Sequence, residues 1–190
     1  MTDGPLLKTD RFDLWRPVAT DLPQLCALID DEETLRYLGP ASPERQSQFD
    51  RLMRNAGSWA LYGYGTFMVR PRGKDDIVAT CGVFHSWRGF GEQSGMDDVP
   101  EAGWIVRRDW WRKGVAPEAM EAVLHWFDQE HGPKRIACMV EEGNEASERV
   151  AARLGFVRYA TRLTEDGDDP TTLTLFERGQ PLTTSAQPVK

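Results

Sequence analysis

Glu101 to Ala122 reads EAGWIVRRDWWRKGVAPEAMEA, and it decides how the chain is organised. Trp104, Ile105 and Val106 are consecutive apolar residues of strand-favouring types. A basic turn follows, Trp111-Arg112-Lys113-Gly114-Val115-Ala116, in which Gly114 leaves room for backbone to approach a ligand. A helix begins about Val115. Pro117 sits in its first turn, where a missing N–H costs nothing, and Glu118 suits the positive end of the helix dipole. Ala116, Ala119, Met120, Val123, Leu124 and Phe127 recur at helical spacing and make an apolar face. A helix N-terminus opened by glycine and flanked by Arg107, Arg108, Arg112 and Lys113 is a ready anion site. On its own, the stretch is equally a basic, solvated turn before an ordinary helix. The turn has neither P-loop spacing nor the G-x-G-x-x-G of a dinucleotide fold.

Composition bounds the function. The chain has 190 residues, enough for a single domain with a proper core, and a formal net charge of −7. That acidic balance argues against general nucleic-acid binding. No apolar run is long enough to cross a bilayer, and MTDGPLLKTD lacks the regions of a signal peptide. Cys26, Cys81 and Cys138 are widely spaced and form no C-x-x-C pair, which points to a reduced, cytoplasmic setting. His85, His125 and His131 share no ligand spacing with them, so no metal is expected.

Outward from the central stretch, the chain reads as mixed α and β. Phe12 to Arg16 is a first strand, and Leu22 to Ile29 a helix capped by Thr20 or Asp21, followed by a short helical piece from Glu32 to Leu38. Ser42-Pro43-Glu44 starts a helix that fades near Gly57. Thr66 to Arg70 and Ile77 to Phe84 are strands joined by a Pro71–Asp75 turn. Ser86 to Pro100 is a long acidic, glycine-rich loop, a length usually associated with function or mobility. The central helix stops near Gly132-Pro133. Arg135 to Val140 is a strand, Asn144 to Leu154 a helix, and Phe156 to Leu163 with Thr171 to Glu177 a C-terminal hairpin around a polar turn, Glu165 to Pro170. The expectation is one domain over residues 1–178 and a disordered tail over 179–190.

Two pieces then stand together: the strand, basic turn and helix around Gly114, and Asn144-x-x-Ser147…Leu154-Gly155-Phe156. With Leu7 to Pro17 (LKTDRFDLWRP) and Glu101-Ala102-Gly103-Trp104, they resemble the GNAT superfamily of N-acetyltransferases, in its branch of ribosomal-protein N-terminal acetyltransferases. The resemblance spans residues 6 to 178. It implies an α+β GNAT fold: a central, mostly antiparallel twisted sheet of about seven strands flanked by helices, with a splayed strand pair at the cofactor cleft. It also implies acetyl-CoA as cosubstrate. The backbone of Arg112, Lys113, Gly114, Val115 and Ala116 would cradle the pyrophosphate. Trp104, Ile105, Val106 and Arg107 would run along the pantetheine arm, and Asn144 would contact it or merely cap its helix. Trp111 stands where the family has glutamine or arginine, and Pro117 where this branch often has threonine.

The implied chemistry is attack of a neutral amine on a thioester. A lysine-like amine is only about 0.04% neutral at pH 7, whereas an α-amine is about 10% neutral, so a base or water relay matters more for the former. Glu101 is the candidate base, or else an exposed strand-end glutamate. The Val106 N–H is the implied oxyanion donor. The family's tyrosine acid falls on Ala151. Ser147 could donate to the leaving thiolate, or be only a first-turn serine. Glu92, Asp97 and Asp98 in the long loop, with Glu165, Asp166, Asp168 and Asp169 in the last turn, suggest either an acidic mouth or simple solubility. The expected partner is a protein N-terminus or a small cationic amine, and homodimerisation is left open. A non-catalytic CoA- or acyl-CoA-binding module is the alternative.

Overall fold

The computed structural model describes residues 4–39, 41–164 and 170–179. Eight strands form one sheet in the order β1-β2-β3-β4-β5-β6-β8-β7. They are β1 (Leu7–Lys8), β2 (Phe12–Trp15), β3 (Thr66–Pro71), β4 (Ala79–Trp87), β5 (Asp97–Val106), β6 (Ile136–Glu141), β7 (Val157–Thr164) and β8 (Thr171–Arg178). Every neighbouring pair is antiparallel except β5 and β6, which run parallel. The helices are α1 (Leu22–Leu28), α2 (Glu32–Leu35), α3 (Arg45–Tyr62), α4 (Val115–His131) and α5 (Glu145–Arg153).

Strand alternation assigns the helices to two faces. Phe67 and Val69 of β3 and Ala102 of β5 join the main core under α4, with Met120, Val123 and Phe127. Met68, between them on β3, turns to the other face against Leu25 of α1 and Leu52 of α3. Ile105 does the same against Leu28, Ile29 and Leu35. Thus α4 covers one face and α1 to α3 the other.

Two readings need correction. Helix α3 does not fade at Gly57 but runs on to Tyr62, where Gly63 adopts φ 78° and closes it. Its last turns are held by packing rather than propensity: Trp59 lies edge-on to Phe67 at 4.9 Å and near Trp126 at 5.7 Å. The long loop is shorter than its composition suggests. β4 extends to Trp87 and β5 begins at Asp97, so only residues 88–96 are loop. Asp97-Asp98-Val99-Pro100 has poor strand propensity, and pairing with β4 overrides it. The sheet has eight strands because Leu7–Lys8 adds a short edge. The tail beyond Gly179, and the turn acids Glu165, Asp166, Asp168 and Asp169, lie outside the described residues.

Candidate active site

The site begins where β5 and β6 part. Their only register pair is Glu101 with Ala137. Beyond it β5 continues to Val106 and β6 to Glu141 without pairing, so a wedge opens between them. The Arg107 N–H bonds the Val78 carbonyl on the β4 side at 2.9 Å. In an antiparallel ladder, alternate residues share that orientation. Ile105 and Gly103 therefore turn their backbone groups to β4, while Ala102, Trp104 and Val106 turn theirs to the wedge. The four strand residues singled out in the sequence divide accordingly. Trp104 and Val106 offer backbone to the wedge. Ile105 is buried among α1 and α2, and Arg107 is drawn away by Asp76 and Asp109 at 2.9 and 2.7 Å.

Past Val106 the chain makes a short 3-10 turn over Arg108–Trp110 and then enters the basic turn. Arg112 takes φ 59°, a left-handed conformation costly for a residue with a Cβ. Gly114 takes φ 72° and forms the N-cap of α4. Two positive-φ residues thus bracket Lys113. Among the described residues, the backbone N–H groups of residues 112–116 have no hydrogen-bond partner. No side chain caps the helix. Five free amides at a helix N-terminus make a cradle for an anion such as a pyrophosphate.

The basic side chains around this cradle are not equal. Arg107 is spent as described, and Arg108 binds Asp31 at 3.0 Å. Arg112 and Lys113 are exposed and make no ion pair among the described residues, although the Lys113 ammonium sits 5.1 Å over the Trp110 ring. Trp111, the residue in place of glutamine or arginine, donates from Nε1 to the Val106 carbonyl at 2.7 Å. It thereby occupies one of the backbone groups that faces the wedge and ties the turn to the end of β5. A second tie comes from the N-terminal hairpin. The Glu118 carboxylate accepts from the Thr9 hydroxyl at 2.7 Å and pairs with the Arg11 guanidinium at 2.6 Å, while Arg11 also donates to the Lys113 carbonyl at 2.8 Å.

Glu101 is not at an exposed strand end. It is 3% exposed in mid-strand, and the Arg88 guanidinium grips both carboxylate oxygens, with Nε at 2.8 Å from Oε2. Burial works against the charge on Arg88, and the Glu101 carboxylate outweighs it, raising its pKa. Asp97, read as part of an acidic mouth, is instead the staple of its own loop. It accepts from the N–H groups of Arg88, Gly89, Phe90 and Gly91. Partial desolvation opposes its charge, but these four donors prevail and hold the carboxyl below the usual range. Asp98 binds His85 Nε2 at 2.9 Å.

On the β6 side, Asn144 caps α5 by accepting from the Ser147 N–H at 3.1 Å. The Ser147 hydroxyl has no partner among the described residues. Ala151 is fully buried in the main core. Tyr37, just after α2, donates to the Gly143 carbonyl at 3.2 Å and so spans from the β5 side of the wedge to the end of β6. Tyr37 and Arg88 are site neighbours with no periodic or motif signal in the sequence.

The family signature described as Acetyltransferase (GNAT) domain matches residues 11–157. The chain belongs to the GNAT acetyltransferase family. An uncharacterised N-acetyltransferase of Bacillus subtilis strain 168, YoaA, is 26% identical over 153 residues, covering 80% of this chain and 82% of its own. Among solved structures, a Bordetella pertussis protein assigned to the GnaT-family acetyltransferases superposes with a TM-score of 0.78 at 29% identity, covering 91% of this chain and 98% of its own. RimL, a ribosomal L7/L12 α-N-protein acetyltransferase solved with coenzyme A, shares the fold at TM-score 0.71 and 13% identity, over 92% and 96% of the two chains. Membership in this family makes acetyl transfer the class of chemistry and implies acetyl-CoA as cosubstrate. Among the described residues no helix is long and apolar enough to cross a membrane, and no cluster of three potential metal ligands occurs.

Proposed function

We propose that this protein transfers an acetyl group from acetyl-CoA to a primary amine by direct attack in a ternary complex. The observation that carries the reading is the run of five unpartnered amides, residues 112–116, beside the open wedge between β5 and β6. The amides hold the pyrophosphate, with Arg112 and Lys113 adding charge at the rim. The thioester arm lies along the wedge-facing backbone of Trp104 and Val106, near the Asn144 cap. The Val106 N–H takes the charge that develops on the carbonyl oxygen as the amine adds. The amine then loses its proton to water or Glu101 as the carbon–sulfur bond breaks, and Ser147 offers the departing sulfur a hydrogen bond. A thiol with a pKa of about 8.5 leaves tolerably without full protonation, so the alanine at position 151 is compatible with turnover.

The test is thermal unfolding with millimolar acetyl-CoA beside ATP and NAD. Ligand at about 100 times its Kd adds about 2.7 kcal/mol, or about 5–11 °C in Tm for a domain of this size. Acetyl-CoA alone is expected to give the shift. The double variant Arg112→Glu, Lys113→Glu, which alters only exposed side chains, is expected to weaken binding at least tenfold. Equal affinity in that variant would remove the turn from the site. The engagement of Glu101 by Arg88 and of the Val106 carbonyl by Trp111 also fits a non-catalytic acyl-CoA-binding module. Such a module would show the shift without thiol release from any amine.

A further inference from the structure

Beyond the pairing of Glu101 with Ala137, the two strands that line the wedge keep their alternation, and this decides which side chains flank its two faces. One face is closed. Ala102 of β5 and Cys138 and Val140 of β6 are buried in the main core under α4, and Trp104 and Val106 pack against that core. A second substrate therefore reaches the wedge from the other face, where β5 presents Glu101, Gly103 and Ile105 and β6 presents Ala137, Met139 and Glu141. Ala137 and Met139 pack there with Leu173 and Leu175 of β8, and Leu173 is the register partner of Glu141. Cross-strand partners share a face, which places Glu141 on the open one.

Two of these residues carry carboxylates, and they are placed differently. Glu101, at the fork, has both oxygens on the Arg88 guanidinium. Glu141 lies past the fork in the last position of β6, level with Ile105 on the far strand and next to the level of the Val106 N–H. It is half-buried. Burial raises its pKa, and no hydrogen bond or ion pair to its carboxylate occurs among the described residues. Its backbone is held from three sides. The Asn144 N–H bonds the Glu141 carbonyl at 3.1 Å, and the Glu142 N–H bonds the Thr172 carbonyl at 2.9 Å. The Tyr37 hydroxyl reaches the Gly143 carbonyl of the same turn from the β5 side, at 3.2 Å. A thioester arm that replaces the missing β5–β6 rungs lies one strand spacing, about 4.8 Å, from each backbone, within reach of a glutamate side chain on β6.

We infer that Glu141 is the carboxylate that meets the acceptor amine at the open face of the wedge and takes its proton, directly or through one water. The lone pair of the neutral amine forms the C–N bond, one of its protons passes to the Glu141 carboxylate, the C–S bond breaks, and CoA leaves as a thiolate that solvent protonates. A carboxylate partly stripped of water and left without a partner is a better proton acceptor than one gripped by a guanidinium. This inference rests on the acetyltransferase reading above and names the group that ends its proton path, with Glu101 left to hold Arg88.

The test does not depend on the natural acceptor. S-(2-aminoethyl)-CoA carries an ammonium close to the sulfur, near where an acceptor nitrogen would stand, and S-ethyl-CoA is its neutral counterpart. Titration calorimetry of the wild-type protein is expected to show the aminoethyl compound bound about 10- to 100-fold more tightly, the usual weight of a charged hydrogen bond. Glu141→Gln is expected to erase that preference while leaving the affinity for S-ethyl-CoA unchanged. Glu142→Gln, at the exposed neighbour, is expected to keep it. No preference in the wild type, a preference that survives in Glu141→Gln, or its equal loss in Glu142→Gln would each overturn the assignment. Weakened binding of S-ethyl-CoA in both Glu141→Gln and Glu141→Ala would show the carboxylate serving the turn instead of the amine, and would overturn it as well. Failure of the wild type to bind S-ethyl-CoA would instead overturn the reading beneath it.

Discussion

Arg88 serves two structures with one residue: its backbone N–H bonds Asp97 to shape the loop, and its guanidinium neutralises the buried Glu101. Removing the guanidinium strands a carboxylate that is 3% exposed inside the sheet. Breaking a buried pair from one side typically costs about 3–5 kcal/mol. Arg88 keeps partial contact with solvent, so about 3 kcal/mol is expected for Arg88→Met, or about 6–12 °C in Tm. Adding Glu101→Gln should recover much of that loss, because the stranded charge is then gone. Thermal unfolding of the two single variants and the double variant gives the coupling, and a double variant as unstable as the sum of the singles would deny the pair its role. The sequence marked Glu101 as a site residue through its place before Gly103-Trp104. It could not mark Arg88, which sits in an aperiodic run, Trp87-Arg88-Gly89-Phe90-Gly91, and meets Glu101 only through β4–β5 pairing.

At the scale of elements, glycine was the least reliable guide. Gly114 and Gly132 delimit α4 as their positions suggest, both at positive φ. Gly57 looks like a similar stop yet lies in mid-helix, since Trp59 and Ser58 beyond it are held by the sheet. A Cβ added at Gly57 would meet nothing within 4 Å. Gly57→Ala should therefore stabilise α3 by about 0.5–1 kcal/mol, raising Tm by about 1–4 °C. A fall in Tm would show that the helix uses the flexibility of the glycine. The helices and most strands were legible because their apolar residues repeat at 3.6 or 2. The N-terminal half of β5 was not, because aspartate and proline hide a strand that forms only through pairing with β4, with Trp87 opposite Asp97, Ser86 opposite Val99 and His85 opposite Pro100. In the same way, the resemblance singled out the basic turn, but the positive φ of Arg112 within it has no signature in the residue type.

At the scale of the molecule, the chain's beginning is fastened to its middle by Thr9, Arg11 and Glu118. Burial raises the cost of charge on Glu118, but the bonds from Thr9 and Arg11 outweigh it and hold its pKa below 4.5. A carboxyl with a depressed folded pKa contributes stability that is fully present above the unfolded value and is lost as pH falls through the folded one. The Tm difference between wild type and Glu118→Gln should therefore be constant above about pH 5 and shrink as pH falls below 4.5. A difference that grew on acidification would contradict the clamp. Affinity for acetyl-CoA should follow the same curve, since Arg11 also holds the Lys113 carbonyl in the turn.

The wedge between β5 and β6 also bears on how the protein comes apart. A sheet joined through one register pair behaves as two plates on a hinge, β1 to β5 on one side and β6, β8 and β7 on the other. The core beneath α4 bridges them, with Val83 and Ala102 from the first plate and Ile136, Cys138 and Phe176 from the second. The backbone ladder does little to couple them. A molecule lying along the wedge would act as a splint across the hinge, so the bound protein would melt as one body, while the free protein could shed its C-terminal plate first.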